Sequence, residues 1–212
     1  MKYKVIIFDL DGVICFTDRY HYMAWKKMAD EIGVYFDEKI NNRLRGISRM
    51  ESLEIILEKS EKVYSEEEKQ QLVTRKNETY VSLIQNMSEK DLSSEVKETL
   101  DELRRREYLL AIGSSSKNTK LILSRLGLNH YFDAISDGTN IQKSKPDPEV
   151  FLKAAEFLGV NPEKCLVVED ARAGIDAAVA GGFDSAGLSE AAEYERTTYP
   201  LKSFGDLKEI CK

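Results

Sequence analysis

Asp9 and Asp11, two residues apart in Asp9-Leu10-Asp11-Gly12, are the residues best placed to do chemistry in this chain. While the backbone stays extended, side chains two apart point to the same side. Two anions held together cost free energy unless a cation or a shared proton compensates. Gly12 permits a turn that a side chain would resist. An Asp-Gly pair alone is an ordinary turn. Directly after the apolar run Val5-Ile6-Ile7-Phe8 it reads instead as the end of a strand buried on both faces of a parallel sheet.

Three later stretches carry residues that could answer this pair. Ser114-Ser115-Ser116-Lys117-Asn118 follows a second apolar run and precedes a helical pattern. One serine there is a plain N-cap. Three, with Lys and Asn behind them, favour an anion such as phosphate. Ser144-Lys145-Pro146-Asp147-Pro148 reads either as a turn launching a helix with Pro148 at its first position, or as a rigid loop that aims Lys145 into a site. Cys165-Leu-Val-Val-Glu169-Asp170 repeats the opening theme of an apolar strand ending in two acids. Asp170 could cap the next helix, or both acids could join Asp9 and Asp11 around a hard cation, for which oxygen ligands of this type suit Mg²⁺. If these ends converge, Asp9, Asp11, Glu169 and Asp170 bring four negative charges, and Lys145 with one Mg²⁺ returns three. A bound phosphate then needs more cation or a protonated carboxyl, which points to Asp11 as a protonated acid.

The elements that must position these residues alternate. After the first strand, Trp25, Met28, Ala29 and Ile32 recur at helical spacing, and Gly33 is a natural stop. Ser48 to Glu51 and Ser65 to Glu68 read as capping boxes opening two more helices, the second running through Leu72, Lys76, Tyr80 and Ile84. No strand pattern occurs between Thr17 and about Leu83. From Ser93 onward helices and strands alternate: a helix around Leu100, a strand 108–113, a helix around Ile122, a strand 133–136, a helix 148–158, a strand 165–168, a helix 171–180 and a last strand near 184–187. Alternation of this kind predicts an α/β fold, a parallel sheet with helices on both faces. The helical block is then an all-helical cap inserted after the first strand. The expected division is 1–15 and 83–212 for the core and 16–82 for the cap. Ligands of open α/β sheets bind at the carboxyl ends of the strands, where such a cap can exclude water.

The cap has notable residues of its own. Arg49 opens a helix, where the dipole disfavours a cation unless an anion is held there. Lys76 lies on the apolar face of its helix, where most lysines reach out to solvent. His21 and Trp25 share a helix face, and His130 is the one other histidine.

Composition sets bounds. The 212 residues are 42% hydrophobic and 32% charged, enough for a sizeable globular core. A net charge of -6 argues against a nucleic-acid or anionic-membrane surface. The opening apolar run is too short for a secretory or membrane segment. Cys15, Cys165 and Cys211 have no metal-ligand spacing and leave an odd thiol, which fits a reducing cytoplasm.

Asp9-Leu-Asp-Gly-Val13, the strand ending at Ser114, Lys145, and Glu169-Asp170 together resemble the four motifs of the haloacid dehalogenase-like phosphotransferases, in family order and spacing. The resemblance implies a Rossmann-like core, Mg²⁺ and an aspartyl-phosphate intermediate. The cap resembles the hexose-phosphate mutase branch more than the phosphatases, through Thr17 to His21 with Trp25, Leu44 to Arg49 with Ser52, Arg75-Lys-Asn77 with Tyr80, and Ser114 to Asn118.

By this resemblance Asp9 is the nucleophile and Asp11 the general acid/base, whose backbone carbonyl also meets the metal. Glu169 and Asp170 serve the metal, and Ser114 and Lys145 hold the transferring phosphoryl group. Arg49, Ser116, Lys117 and Asn118 grip the other phosphate, with Ser115 beside them. Thr17, His21, Trp25, Ser52, Lys76 and the loop Arg45, Gly46, Ile47, Ser48 meet the sugar and the hinge. A cis bond before Pro146 is implied as well. The expected reaction interconverts β-D-glucose 1-phosphate and glucose 6-phosphate in a monomer, with β-glucose 1,6-bisphosphate as activator and intermediate. The same machinery open to water would be a sugar-phosphate or nucleotide phosphatase. A phospho-Asp receiver domain fits less well, since it needs neither the insertion nor Asp11. Two positions depart from the pattern: Arg45 stands where lysine is usual, and Phe16 where a polar residue is.

Overall fold

The structure, a computed structural model, describes residues 2–44 and 47–212, so the expectations at Arg45 and Gly46 lie outside the described residues. Its centre is β1 (Val5–Phe8), which pairs in parallel with β2 (Leu109–Gly113) on one side and β4 (Cys165–Glu169) on the other. With β3 (Ala134–Ser136), β5 (Asp184–Gly187) and β6 (Tyr199–Pro200), the sheet runs in the order β3-β2-β1-β4-β5-β6, all parallel. Alternate residues of β1 enter different cores. Ile6 and Phe8 join one apolar cluster while Val5 and Ile7 join another, so both faces of the sheet are covered. The order of strands reverses between β1 and β4, and such a reversal opens a crevice at the carboxyl ends.

The helical insertion contains α1 (Asp18–Glu31), α2 (Glu38–Asn42), α3 (Arg49–Leu57) and α4 (Glu66–Ile84). Trp25, Met28, Phe36, Leu53, Ile56 and Leu72 form a third apolar cluster there. α1 ends in a Schellman motif: Gly33 takes φ +69°, and the N–H of Val34 donates to the carbonyl of Ala29 at 2.9 Å. Both expected capping boxes are present, at Ser48/Glu51 and Ser65/Glu68. The remaining helices are α5 (Ser94–Arg105), α6 (Thr119–Arg125), α7 (Glu149–Phe157), α8 (Arg172–Ala180), α9 (Ser189–Ala192) and α10 (Leu207–Ile210).

Three local expectations need correction, and one short helix, α2, has no counterpart in the sequence reading. The sheet does not end at β5, because Ala186 and Gly187 pair with Tyr199 and Pro200. A two-residue strand containing proline has no apolar pattern to read, and proline is tolerated only because this is the sheet edge. α2 is too short for periodicity to reveal; Asp37 starts it by accepting from the N–H of Ile40 at 2.9 Å. Pro148 occupies the N-cap of α7 rather than its first turn. Ala171, not Asp170, is the N-cap of α8. The three cysteines are buried and unpaired with one another. No helix among the described residues is long and apolar enough to cross a membrane.

Candidate active site

The strand register pairs Phe8 with Val168, so the next residues, Asp9 and Glu169, stand side by side at the crevice. Lys145 reaches between them from the loop before α7, through a Lys145–Pro146 bond that is cis. Its ammonium donates to Asp9 Oδ1 at 2.6 Å and to Glu169 Oε1. Burial opposes the ammonium charge, but the two carboxylates outweigh it and hold the Lys145 pKa above its ordinary value. Burial pushes the Glu169 carboxyl up, against the pull of Lys145. The N–H groups of Asp170 and Ala171 donate to Glu169 Oε2 at 3.0 and 3.2 Å. Glu169 therefore fixes both the lysine and the start of α8.

Asp11 follows on the turn after β1. The Thr17 hydroxyl donates to its Oδ1. Burial first, then the neighbouring Asp9, raise the Asp11 pKa to about 7, against the lowering effect of Thr17. Thr17 itself is buried behind Asp11 and does not line the cavity described below.

Asp9, Glu169 and Asp170 each place an oxygen within 4.8 Å of the others. Three hard oxygen donors in one place suit a divalent cation such as Mg²⁺. Two glycines make room for the cluster. A Cβ at Gly12, which adopts φ +86°, would collide with the Asp170 carboxyl, and one at Gly174 with the Glu169 carboxyl. The side chain of Asp11 is not among these donors.

The serine loop after β2 is ordered by its own bonds. Ser116 N–H donates to Ser114 Oγ and Asn118 N–H to Ser116 Oγ, each at 3.2 Å. Ser115 Oγ is buried without a hydrogen-bond partner among the described residues.

The cap supplies the opposite wall. Lys76 does not reach solvent; it is 2% exposed, with its Nζ 3.0 Å from His21 Nδ1 and 4.6 Å from the centre of the Trp25 ring. Burial, then the Arg49 charge, lower its pKa to about 7, with Asp11 pulling the other way. Burial, then Lys76 and Arg49, push His21 well below its ordinary value, so its imidazole is neutral. Burial also lowers the Arg49 pKa, and Arg49 has no carboxylate partner among the described residues. The Ser52 hydroxyl donates to the Ser48 carbonyl at 2.9 Å. Phe16, at the start of the insertion, is exposed.

A cavity of about 380 Å³ gathers these groups. Asp9, Asp11, Lys145, Glu169, Asp170 and the 114–118 loop line it from the core, and His21, Trp25, Ile47, Ser48, Arg49, Ser52 and Lys76 line it from the cap. Sequence reasoning missed several of its lining residues, among them Asp18, Gln70 and Gln142. No motif marks them; they reach the cavity because α1, α4 and the loop after β3 turn toward it.

A haloacid dehalogenase-like hydrolase profile matches residues 3–182. This chain belongs to that family. Family members differ in what they do to a phosphoryl group, and the relatives divide accordingly. A β-phosphoglucomutase of Bacillus subtilis is 44% identical over 189 residues, which cover 88% of this chain and 84% of that protein. A phosphorylated carbohydrates phosphatase of Thermotoga maritima is 30% identical over 184 residues, covering 85% and 82%. Among solved structures, a β-phosphoglucomutase from Clostridium difficile superposes with a TM-score of 0.90 at 41% identity, covering 97% of this chain and 93% of that one. The chain is accordingly an enzyme of the haloacid dehalogenase-like family.

Proposed function

We propose that the chain is a β-phosphoglucomutase, interconverting β-D-glucose 1-phosphate and glucose 6-phosphate. One observation supports this reading beyond phosphatase chemistry: the cavity lining carries two groups of residues suited to an anion. One lies at Lys145 and Ser114, beside Asp9. The other would be formed by Arg49 with Ser116, Lys117 and Asn118, which line the same cavity. A phosphatase needs the first; a bisphosphate sugar that turns over within the site needs both. The similarity to mutases of 41 and 44% identity supports the same choice.

In this reading an Asp9 oxygen carries the phosphoryl group. The free hydroxyl of the sugar phosphate attacks phosphorus, its oxygen bonds to phosphorus as the bond from phosphorus to Asp9 breaks, and the hydroxyl proton passes to Asp11. The glucose 1,6-bisphosphate so formed turns over between the two anion places. Asp9 then takes back the other phosphoryl group while Asp11 returns the proton to the departing oxygen. Thr17 keeps the Asp11 carboxyl aimed. Lys145 and Ser114 hold the transferring oxygens, and His21 and Lys76 meet the sugar side. Asp9, Glu169, Asp170 and the main-chain carbonyl of Asp11 would hold Mg²⁺, which when bound offsets the charge of the transferring group. The work of the protein is placement, charge compensation and exclusion of water.

The test is a coupled assay with Mg²⁺, a trace of bisphosphate and each glucose 1-phosphate anomer in turn. Glucose 6-phosphate from the β anomer is expected. Free phosphate without glucose 6-phosphate would overturn the mutase in favour of the phosphatase. The Asp9→Ala variant should lose turnover entirely in either case.

A further inference from the structure

Cap and core meet in a side-chain hydrogen bond that neither wall of the cavity accounts for. Asn118 Nδ2 donates to Asn77 Oδ1 at 2.9 Å. Asn77 lies on α4, next in sequence to Lys76, and is absent from the lining of the cavity. Asn118 ends the serine loop at the N-cap of α6. Asparagine in that position ordinarily turns its side chain onto the first N–H groups of its own helix. Here it makes no such bond. Its amide leaves the local role and crosses to the cap. The Asn118 backbone is already tied to Ser116, so the bond to Asn77 fixes the remaining freedom of the residue.

We propose that Asn77 is a positioning residue that latches the cap to the 116–118 loop and so sets how long the cavity stays closed to water. The inference rests on the phosphoryl-transfer reading, since closure time matters only to a phosphorylated Asp9. Asn77 touches no substrate; it acts through Asn118. Adjacent residues of α4 then divide the labour, Lys76 facing the sugar side and Asn77 holding the cap in register with the phosphate loop.

The experiment is a double-mutant cycle on the lifetime of the phosphoenzyme. Wild type, Asn77→Ala, Asn118→Ala and the double variant are labelled with acetyl phosphate in Mg²⁺, and loss of label to water is followed. Asn77→Ala should shorten the lifetime about 2- to 12-fold, the range for one neutral hydrogen bond. Added to Asn118→Ala it should shorten it no further. Asn77→Asp, which keeps an acceptor of the same shape, should restore most of the lifetime. A merely structural asparagine would instead lower the melting temperature and act equally in the Asn118→Ala background. Additive effects in the cycle, or a wild-type lifetime in Asn77→Ala, overturn the latch. Absence of glucose 6-phosphate from wild type overturns the mutase reading separately and leaves the outcome of the cycle intact.

Discussion

The two walls of the cavity handle charge in opposite ways. On the core wall, Lys145 is enclosed by Asp9 and Glu169, and Glu169 is itself held by backbone N–H groups. That wall still carries more carboxylates than cations, and the excess gathers at Asp9, Glu169 and Asp170, where a divalent cation fits. On the cap wall, Lys76 is buried and Arg49 half-buried with no carboxylate bonded to them among the described residues, and Asp18 is an acid lining the cavity there. Burying a cation without a partner is costly. The core wall fixes its lysine among its own acids and leaves a carboxylate excess for a cation. The cap wall is left in deficit, which only an anionic ligand repairs. Perturbed groups of this kind gather at functional sites. In the proposed reading, chemistry is built into the sheet and recognition into the insertion.

The sharpest way to break this contrast is to remove the cation that Asp9 and Glu169 share. Lys145→Met leaves Asp9 and Glu169 facing each other without their shared cation. Breaking a buried ion pair from one side costs about 3–5 kcal/mol. Urea unfolding of the metal-free variant should register that loss, and turnover should vanish with it. A variant as stable as wild type would mean that the lysine is not what holds the acids together.

The cap wall should respond in the reverse sense. Arg49→Ala removes a half-buried cation that has no carboxylate partner among the described residues, so the fold should lose little stability. Binding should suffer instead. A charge-assisted hydrogen bond contributes about 1.5–3 kcal/mol, which corresponds to about a 10- to 150-fold fall in kcat/KM, carried mainly by KM. A loss confined to kcat would place Arg49 with the chemistry and erase the division between the walls.

The two walls also differ in how far the sequence discloses them. Asp9, Ser114 and Glu169 of the core wall sit at the ends of apolar strands, so a buried run followed by polar residues marks the place, and strand alternation brings the ends together. Asp9, Ser114 and Glu169 are legible for that reason. The cap is legible as helices, because its capping boxes are local, yet nothing local says which helix faces look down. Lys76 is the instructive case. Its spacing with Leu72 and Tyr80 puts it on an apolar face, where escape to solvent is the usual outcome, and only its contacts with His21 Nδ1 at 3.0 Å and with the Trp25 and Tyr80 rings at 4.6 and 4.8 Å show why it stays inside. β6 and α2 escaped because two or five residues hold too little pattern to read. The Asn77–Asn118 bond joins residues 41 positions apart, and no periodicity could have announced it.

Lys76 also gives the finest test of the contrast, through pH. Its pKa is lowered to about 7 in the fold from 10.5. Below pH 7 the ammonium is charged in both folded and unfolded chains, and the cost of burying it is carried in full. Between about pH 7 and 10.5 the unfolded chain binds the proton while the folded chain does not, so stability should rise with pH across that window. His21, Arg49, Tyr80 and Asp11 also act on this site and titrate in their own ranges, so the effect is isolated by difference. Wild type compared with Lys76→Met should gain up to about 1.4 kcal/mol per pH unit within the window and nothing below it. Urea titrations on either side of neutrality measure this. Parallel stability curves would mean that Asp11 keeps the ammonium charged. Lys76 would then be paired across the cavity with the core wall, and the deficit assigned to the cap would belong to Arg49 alone.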